Sequence, residues 1–173
     1  MSEKTGIALE AGKYENFTGI IMWGGTEGVV ENASFELKNY WTYESVIFHS
    51  GIWKNGIWEY GAWWDGIWEN GTWKRGTWWK GTWKDGVWEN GWWWDGMWKD
   101  GTWEKGVWHA GVWKNGNWKS GVWYSGRWKN GIWKGGGWKD GIWEKGNWEN
   151  GEWKTGYDKN EYTRIVSPNN WKK

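Results

Sequence analysis

Cysteine is absent from this chain of 173 residues, and histidine occurs only twice. Without cysteine, the chain has no disulfide framework and no thiolate metal site. His49 and His109 are far apart in sequence, whereas a metal site needs three or four converging ligands. The sequence contains neither a nucleophile elbow nor a glycine-rich phosphate loop, so no such motif indicates a catalytic residue. We therefore expect no metal ion, no other cofactor and no enzymatic activity.

An excess of charge of one sign is lacking as well. The chain has 22 lysines and arginines against 21 aspartates and glutamates, for a net charge of +1. Such a balanced surface is unsuited to binding the phosphate backbone of nucleic acid or to mimicking DNA. No stretch approaches the roughly 18 consecutive apolar residues of a membrane span, and the N-terminal residues lack the apolar region of a signal peptide. We expect a protein made in the cytoplasm, with no nucleic-acid partner and no membrane partner.

Tryptophan and glycine, in contrast, are abundant, with 28 and 30 residues. From Gly51 to Thr155 they recur every five residues, as 21 consecutive units of the form Gly-x-Trp-x-x. A short fixed period is typical of solenoids, in which each unit buries one face against its neighbours. A period of five matches no helical face. The repeat therefore predicts an all-β solenoid.

Each unit has the residue types of a short strand followed by a corner. The residue before Trp is mostly β-branched, the residue after it is mostly charged, and the residue before the next Gly is Asn or Asp in 11 of the 21 units, a tight-turn signal. Because side chains alternate along a strand, the charged residue faces water and Trp faces inward. Gly lies on the Trp side, where it leaves room for the indole, and it accommodates the positive φ of a corner. The pattern predicts a β-helix with ladders of stacked indoles inside. A flat meander of hairpins is the rival, but it would give the surface residues a ten-residue period, which they do not show.

A longer period, of three units, is visible on the outside. All residues that directly follow a core Trp are Lys or Glu, apart from five that recur in every third unit: Trp64, Trp79, Trp94, His109 and Tyr124. With three units per coil, these five side chains form one outer column, and many lysines meet glutamates. This favours a three-sided coil, and a four-sided coil is the alternative. Trp92 lies beside the column, and we call the six residues the aromatic strip. It is the candidate interaction site, since exposed apolar patches usually mark contacts.

The spacing resembles that of the pentapeptide-repeat family. In that family a small inward residue is followed two places later by a large inward one, as Gly51 is followed by Trp53 and Gly151 by Trp153. The resemblance implies a right-handed, four-sided β-helix with four units per coil. The family usually has Ala, then Asp or Asn, then Leu or Phe at successive positions. This chain departs from that preference, because it pairs Gly with Trp throughout. Tracts such as GIWKNGIWEYG also look like those of predicted structural proteins of tailed bacteriophages.

The repeat stops before both ends of the chain. Upstream its phase continues to Trp41, because Tyr43 and Phe48 take the place of Trp, and downstream Asp158 stands where Trp would come next. We predict a non-repeating N-terminal cap or docking segment (1–40), a β-helix (41–157) and a C-terminal cap or tail (158–173). The first segment contains a strand-like patch, FTGIIMW. Caps are expected, because an open coil exposes strand edges.

The function that the sequence favours is a structural or assembly role as a rigid rod. The non-repeating ends would bind other structural proteins or further copies of the chain, and the phage resemblance implies a place in a virion, at the tail or capsid surface. The alternative is a carbohydrate- or surface-binding module, in which sugar rings stack on the aromatic strip.

Overall fold

Three long strands begin the part of the chain that the structure describes. The computed structural model describes residues 9–39 and 44–158. Its long strands are β1 (Gly12–Trp23), β2 (Thr26–Asn39) and β3 (Glu44–Trp58). None of the described residues forms a helix, so there is none among them that is long and apolar enough to cross a membrane. The fold is all-β, as predicted.

Short strands follow β3 at intervals of five residues. The first, β4, contains three residues (Gly61–Trp63). Each of the remaining eighteen contains an inner Trp and the residue before it: β5 (Ile67–Trp68), β6 (Thr72–Trp73), β7 (Thr77–Trp78), β8 (Thr82–Trp83), β9 (Val87–Trp88), β10 (Trp92–Trp93), β11 (Met97–Trp98), β12 (Thr102–Trp103), β13 (Val107–Trp108), β14 (Val112–Trp113), β15 (Asn117–Trp118), β16 (Val122–Trp123), β17 (Arg127–Trp128), β18 (Ile132–Trp133), β19 (Gly137–Trp138), β20 (Ile142–Trp143), β21 (Asn147–Trp148) and β22 (Glu152–Trp153).

The short strands pair in parallel, each with the strand three places further along the chain. Trp98, for example, is paired with Trp83 in the preceding coil and with Trp113 in the following one. The same register holds from the first parallel pair, Val46 with Gly61, to the last strand, where Trp138 is paired with Trp153. One coil therefore contains three strands, and the 21 units make about seven coils. The three-unit period of the outer aromatic residues predicted this register.

The interior of the solenoid consists of stacked indoles, as the sequence predicted. Trp93 lies on Trp108 with ring centroids 4.7 Å apart and planes 6° from parallel, and it meets Trp98 of the next strand edge-on at 6.0 Å and 72°. The inner tryptophans from 53 to 143 are at most 1% exposed. Phe48 takes the place of Trp and stacks on Trp63 at 4.0 Å. An indole in the middle of a column, such as Trp93, thus contacts rings above, below and beside it.

The repeated glycine is required chiefly by the backbone of the neighbouring coil. Gly96 has a φ of 124°, and a Cβ atom placed on it would collide with the carbonyl oxygen of Gly81. The Trp93 ring is the more distant neighbour, at 3.3 Å from that position. The predicted positive φ is confirmed, whereas the predicted need for space beside the indole is the smaller of the two constraints. Close parallel approach of two backbones explains why this place in the unit admits no side chain.

The corners are held by side-chain hydrogen bonds to the backbone. The carboxylate Oδ1 of Asp95 accepts a hydrogen bond of 2.7 Å from the N–H of Gly96, and the amide Oδ1 of Asn90 does the same for Gly91 at 2.9 Å. Such bonds let Asp and Asn stabilise tight turns locally. They account for the frequency of Asn-Gly and Asp-Gly in the sequence.

The indole N–H groups are of two kinds. Several donate to a carbonyl in the following coil, as Trp108 does to Ser125 at 3.1 Å. The inner indoles from Trp53 to Trp98, and also those of Trp113 and Trp133, make no such bond. The two kinds are equally buried.

Charged residues outside the core form vertical pairs of opposite charge and also vertical runs of like charge. Lys84 donates to Glu69 at 2.8 Å across one coil, and this hydrogen bond is the main cause of the lowered pKa of Glu69. Lys99, Lys114 and Lys129 occupy the same place in three successive coils, and among the described residues they make no ion pair. Opposite charges in vertical register stabilise neighbouring strands, and like charges destabilise them.

At the N-terminal end, the hairpin of β1 and β2 lies on the edge of β3. β2 pairs antiparallel with β3, whose other edge pairs in parallel with β4, β5 and β6. Two bulges interrupt the hairpin near Asn16 and Asn32, which have φ angles of 52° and 48°. The strand-like patch predicted for Phe17 to Trp23 lies in β1. Whether the segment 1–40 acts as a cap or as a docking segment stays a prediction, and Trp41 and Tyr43 lie outside the described residues.

At the C-terminal end, burial decreases over the last described coil. Trp148 and Trp153 are half-buried, and Tyr157 forms a single parallel bridge with Ile142. Asp158, in the place of Trp, is 7% exposed. The predicted segment 158–173 lies outside the described residues except for Asp158, so its role as a cap or tail stays a prediction.

Candidate interaction surface

The aromatic strip lies on the outside because its members flank buried tryptophans. Trp93 is fully buried, and its neighbours Trp92 and Trp94 are 54% and 40% exposed. The alternation of side chains along a strand sends both neighbours outward. The same alternation exposes Trp64, Trp79 and Tyr124, while His109 is half-buried. The structure therefore places all six predicted residues on the surface, although their role as an interaction site stays a prediction.

Four members of the aromatic strip form a continuous outer stack. Trp79 stacks on Trp94 at 5.3 Å and 11°, Trp94 on His109 at 4.1 Å and 6°, and His109 on Tyr124 at 5.2 Å and 5°. The three-strand coil places these side chains one above the other, and the near-parallel planes bring their faces together. The rings consequently cover one another's faces and present their edges to solvent.

Trp64 does not continue this stack. Its indole meets His49 at 5.7 Å with the planes 52° apart, and no ring contact joins it to Trp79 in the described part of the chain. His49 lies one coil before Trp64 and so belongs to the same column, although the sequence interpretation did not include it in the strip. His49 fits the fifteen-residue spacing of the column, so the sequence could have predicted its place. It was left out because it precedes the first regular Gly-x-Trp unit.

Trp92 widens the aromatic strip by one strand position. In β10 it is in register with Thr77 of the preceding coil and Val107 of the following one. Neither of these is aromatic, so the exposed Trp92 side chain lies beside the stack and is not part of it.

An apolar cleft runs along the aromatic strip. It has a volume of about 520 Å³ and is lined by Trp64, Trp79, Trp94, Lys80, Asp95 and Ala110. Lys80 forms an ion pair of 3.1 Å with Asp65 at the rim. Apolar walls with a few charged rim residues are typical of surfaces that bind ligands or other proteins.

His109 is the one titratable imidazole within the outer stack. Burial between its two ring neighbours lowers the pKa of this side chain below the ordinary value of 6.5. The neutral ring is therefore favoured near neutral pH, and the stack carries no charge there. This leaves the aromatic strip uncharged between its charged rims.

The stacking geometry decides which ligands suit this surface. A sugar ring binds an aromatic side chain by lying on its face, and the faces of Trp94 and His109 are occupied by their neighbours. Exposed ring edges, in contrast, pack well against other apolar side chains in edge-to-face contacts. The surface therefore favours apolar packing over sugar stacking. Among the described residues, no group of three or more His, Cys, Asp or Glu side chains could hold a metal ion.

Comparison with known proteins gave no match among protein-family models, curated proteins or solved structures. The five-residue repeats and the Trp ladder are those of a repeat β-helix. The resemblance to pentapeptide-repeat proteins rests on the spacing of Gly and Trp alone.

Proposed function

We propose that this chain is a non-enzymatic structural or assembly protein that serves as a rigid β-helical rod. The observation that supports this most directly is the unbroken inner stack of indoles. Each buried Trp packs on the Trp of the next coil, as Trp98 does on Trp113 at 4.7 Å. Aromatic pairs of this kind contribute about 0.5–1.5 kcal/mol each beyond the burial of their area. A bend in the rod would have to open such contacts in several columns together.

The length of the rod follows from its coils. Adjacent strands of a sheet lie about 4.8 Å apart, so seven coils span roughly 34 Å. Interaction with other structural proteins, or with further copies of the chain, would take place at the non-repeating segments 1–40 and 158–173. A place in a bacteriophage virion remains the proposal that the resemblance of the repeat tracts suggests.

The structural role is tested by finding where the chain resides in its source. Particles and soluble protein would be separated by sedimentation, and the chain quantified in each fraction by mass spectrometry. A structural component is expected in the particle fraction at a constant ratio to the other particle proteins. Recovery of the chain mainly as free protein, or at a ratio that varies between preparations, would contradict the proposal.

The alternative role, carbohydrate or surface binding through the aromatic strip, has weaker support. The cleft beside Trp64 and Trp79 favours it, because Trp79 carries no stacked ring on the side of Trp64. The stacked rings from Trp79 to Tyr124 disfavour it, because they leave no extended platform of free ring faces. Retention of the chain in gels that contain polysaccharide, and its loss in Trp64→Ala and Trp79→Ala variants, would support this alternative.

A further inference from the structure

The exposed apolar side chains of the described residues are concentrated on one side of the rod. Nine large hydrophobic side chains are exposed in that part of the chain, and five of them belong to the aromatic strip. Trp92 and Trp94 belong to one five-residue unit. The other three exposed members of the strip, Trp64, Trp79 and Tyr124, belong to coils before and after it. Soluble monomers rarely expose such a contiguous apolar surface without a partner. We propose that the aromatic strip is the interface through which two copies of this chain pack side by side.

The area of the aromatic strip fits a dimer interface. A fully covered Trp or Tyr side chain buries about 150–250 Å², so five that are roughly half exposed offer about 400–600 Å² per copy. Two copies would bury about 1,000 Å² from these side chains, which is near the lower limit of a specific interface. The rim residues Lys80, Asp95 and Ala110 add to this area.

The period of the aromatic strip favours a second copy over an unrelated partner. Its rings recur at centroid distances from 4.1 to 5.3 Å along the rod. A second copy carries the same spacing, so the outer edges of the two stacks can pack against each other in one register over several coils. An unrelated surface would match this period at one or two rings. Two-fold pairing of one surface with itself is also the commonest form of protein assembly.

Electrostatics do not oppose this pairing. The net charge of the chain is +1, so two copies hardly repel each other. At the rim, Lys80 is paired with Asp65, and neutral His109 leaves the centre of the aromatic strip uncharged. A rod can serve a structural role as a single copy, so this dimer adds to the proposed function and stands or falls separately from it.

The first experiment is sedimentation equilibrium of the full chain over a range of concentrations. A dimer of twice the chain mass of 20.5 kDa is expected. Trp92→Lys should raise the dimer dissociation constant roughly tenfold or more, because it replaces an exposed ring of the aromatic strip by a charge. Thr102→Lys is the matched control, because it adds the same charge directly before a buried Trp in a different strand of the coil. It should leave the dissociation constant unchanged.

A second measurement decides the matter if Trp92→Lys fails to fold, as circular dichroism would show. The chain contains no cysteine, so one introduced cysteine gives an unambiguous cross-link. Ala110→Cys, beside the aromatic strip, should be joined to its copy by a short bifunctional maleimide, and Ser120→Cys, at a corner on another strand, should not.

Three outcomes would overturn the proposal. The first is a monomer at all concentrations. The second is a dimer that is indifferent to Trp92→Lys, and the third is one that cross-links equally through Ser120→Cys. Polysaccharide binding by a monomeric chain would assign the strip to that ligand instead.

Discussion

The imidazole of His109 lies face to face on the indole of Trp94, with ring centroids 4.1 Å apart and planes 6° from parallel. Tyr124 covers the opposite face of the same imidazole at 5.2 Å. Histidine is therefore one layer of an aromatic stack on the outside of a rod. Protonation would place a charge between two rings in a site that is partly removed from water, and for this reason its pKa is lowered.

The stability of the fold should consequently depend on pH through His109. A histidine whose folded-state pKa lies below 6.5 stabilises the fold fully above 6.5, and this contribution is lost as the pH falls through the folded-state pKa. We expect the urea midpoint of the wild type to fall more steeply with decreasing pH, below about 6.5, than that of His109→Phe. Phenylalanine keeps the stack and cannot titrate, and all other titratable groups are common to both proteins. Parallel pH profiles would contradict the assignment.

Trp93 and Trp108 provide a matched test of the indole hydrogen bonds. They are adjacent in one column and fully buried, but only Trp108 donates a hydrogen bond, to the carbonyl of Ser125. Replacement of either by Phe leaves a similar cavity. Trp108→Phe also loses a hydrogen bond, whereas Trp93→Phe removes a buried donor without a partner. We expect Trp108→Phe to reduce the free energy of unfolding by about 1–2 kcal/mol more than Trp93→Phe, as measured by urea denaturation. Equal losses would show that the N–H groups of the two indoles are equivalent in solution.

The consecutive glycines 136 and 137 separate backbone strain from simple loss of flexibility. Gly136 has a φ of 100°, and a Cβ atom on it would collide with the carbonyl oxygen of Gly121. Gly137 has no atom closer than 3.8 Å to the corresponding position. Gly136→Ala should destabilise the fold by roughly 2–4 kcal/mol. Gly137→Ala should be neutral or stabilise it by up to about 1 kcal/mol, because it lowers the entropy of the unfolded chain. Thermal and urea unfolding of both variants would check this order, and a reversed order would refute it.

The lysine run offers a way to stabilise the rod. Lys114→Glu places a carboxylate between Lys99 and Lys129, in the geometry that Lys119 and Glu104 already show at 2.8 Å. We expect the midpoint of thermal unfolding to rise by roughly 1–4 °C at low salt, and the gain to vanish in high salt. Lys134→Glu is the control, since it would place its carboxylate between Lys119 and Glu149 and gain nothing. An increase that persists in high salt would indicate a cause other than charge.

The repeat made most of this fold predictable. Strand alternation predicted that Trp faces inward, and the three-unit spacing of residues such as Trp79 and Trp94 predicted both the register and the outer column. The ring planes were not predictable, because spacing places Trp64 above Trp79 without setting the side-chain torsions that separate them. The hydrogen bonding of the Trp93 indole was not predictable either. It depends on shifts in atomic position that are far smaller than the spacing between coils. The hairpin of β1 and β2 has no period, so the spacing that predicted the register of the coils could not predict its pairing or its bulges.

The uniform coil also has an evolutionary consequence. Duplication or loss of three units within the repeat would lengthen or shorten the rod by one strand spacing, about 4.8 Å, and leave every column in phase. Gain or loss of a single unit would instead shift all later residues by one strand position and divide the outer column of Trp79 and Tyr124 in two. A gain or loss of whole coils would therefore change the length of the rod and keep its surface columns.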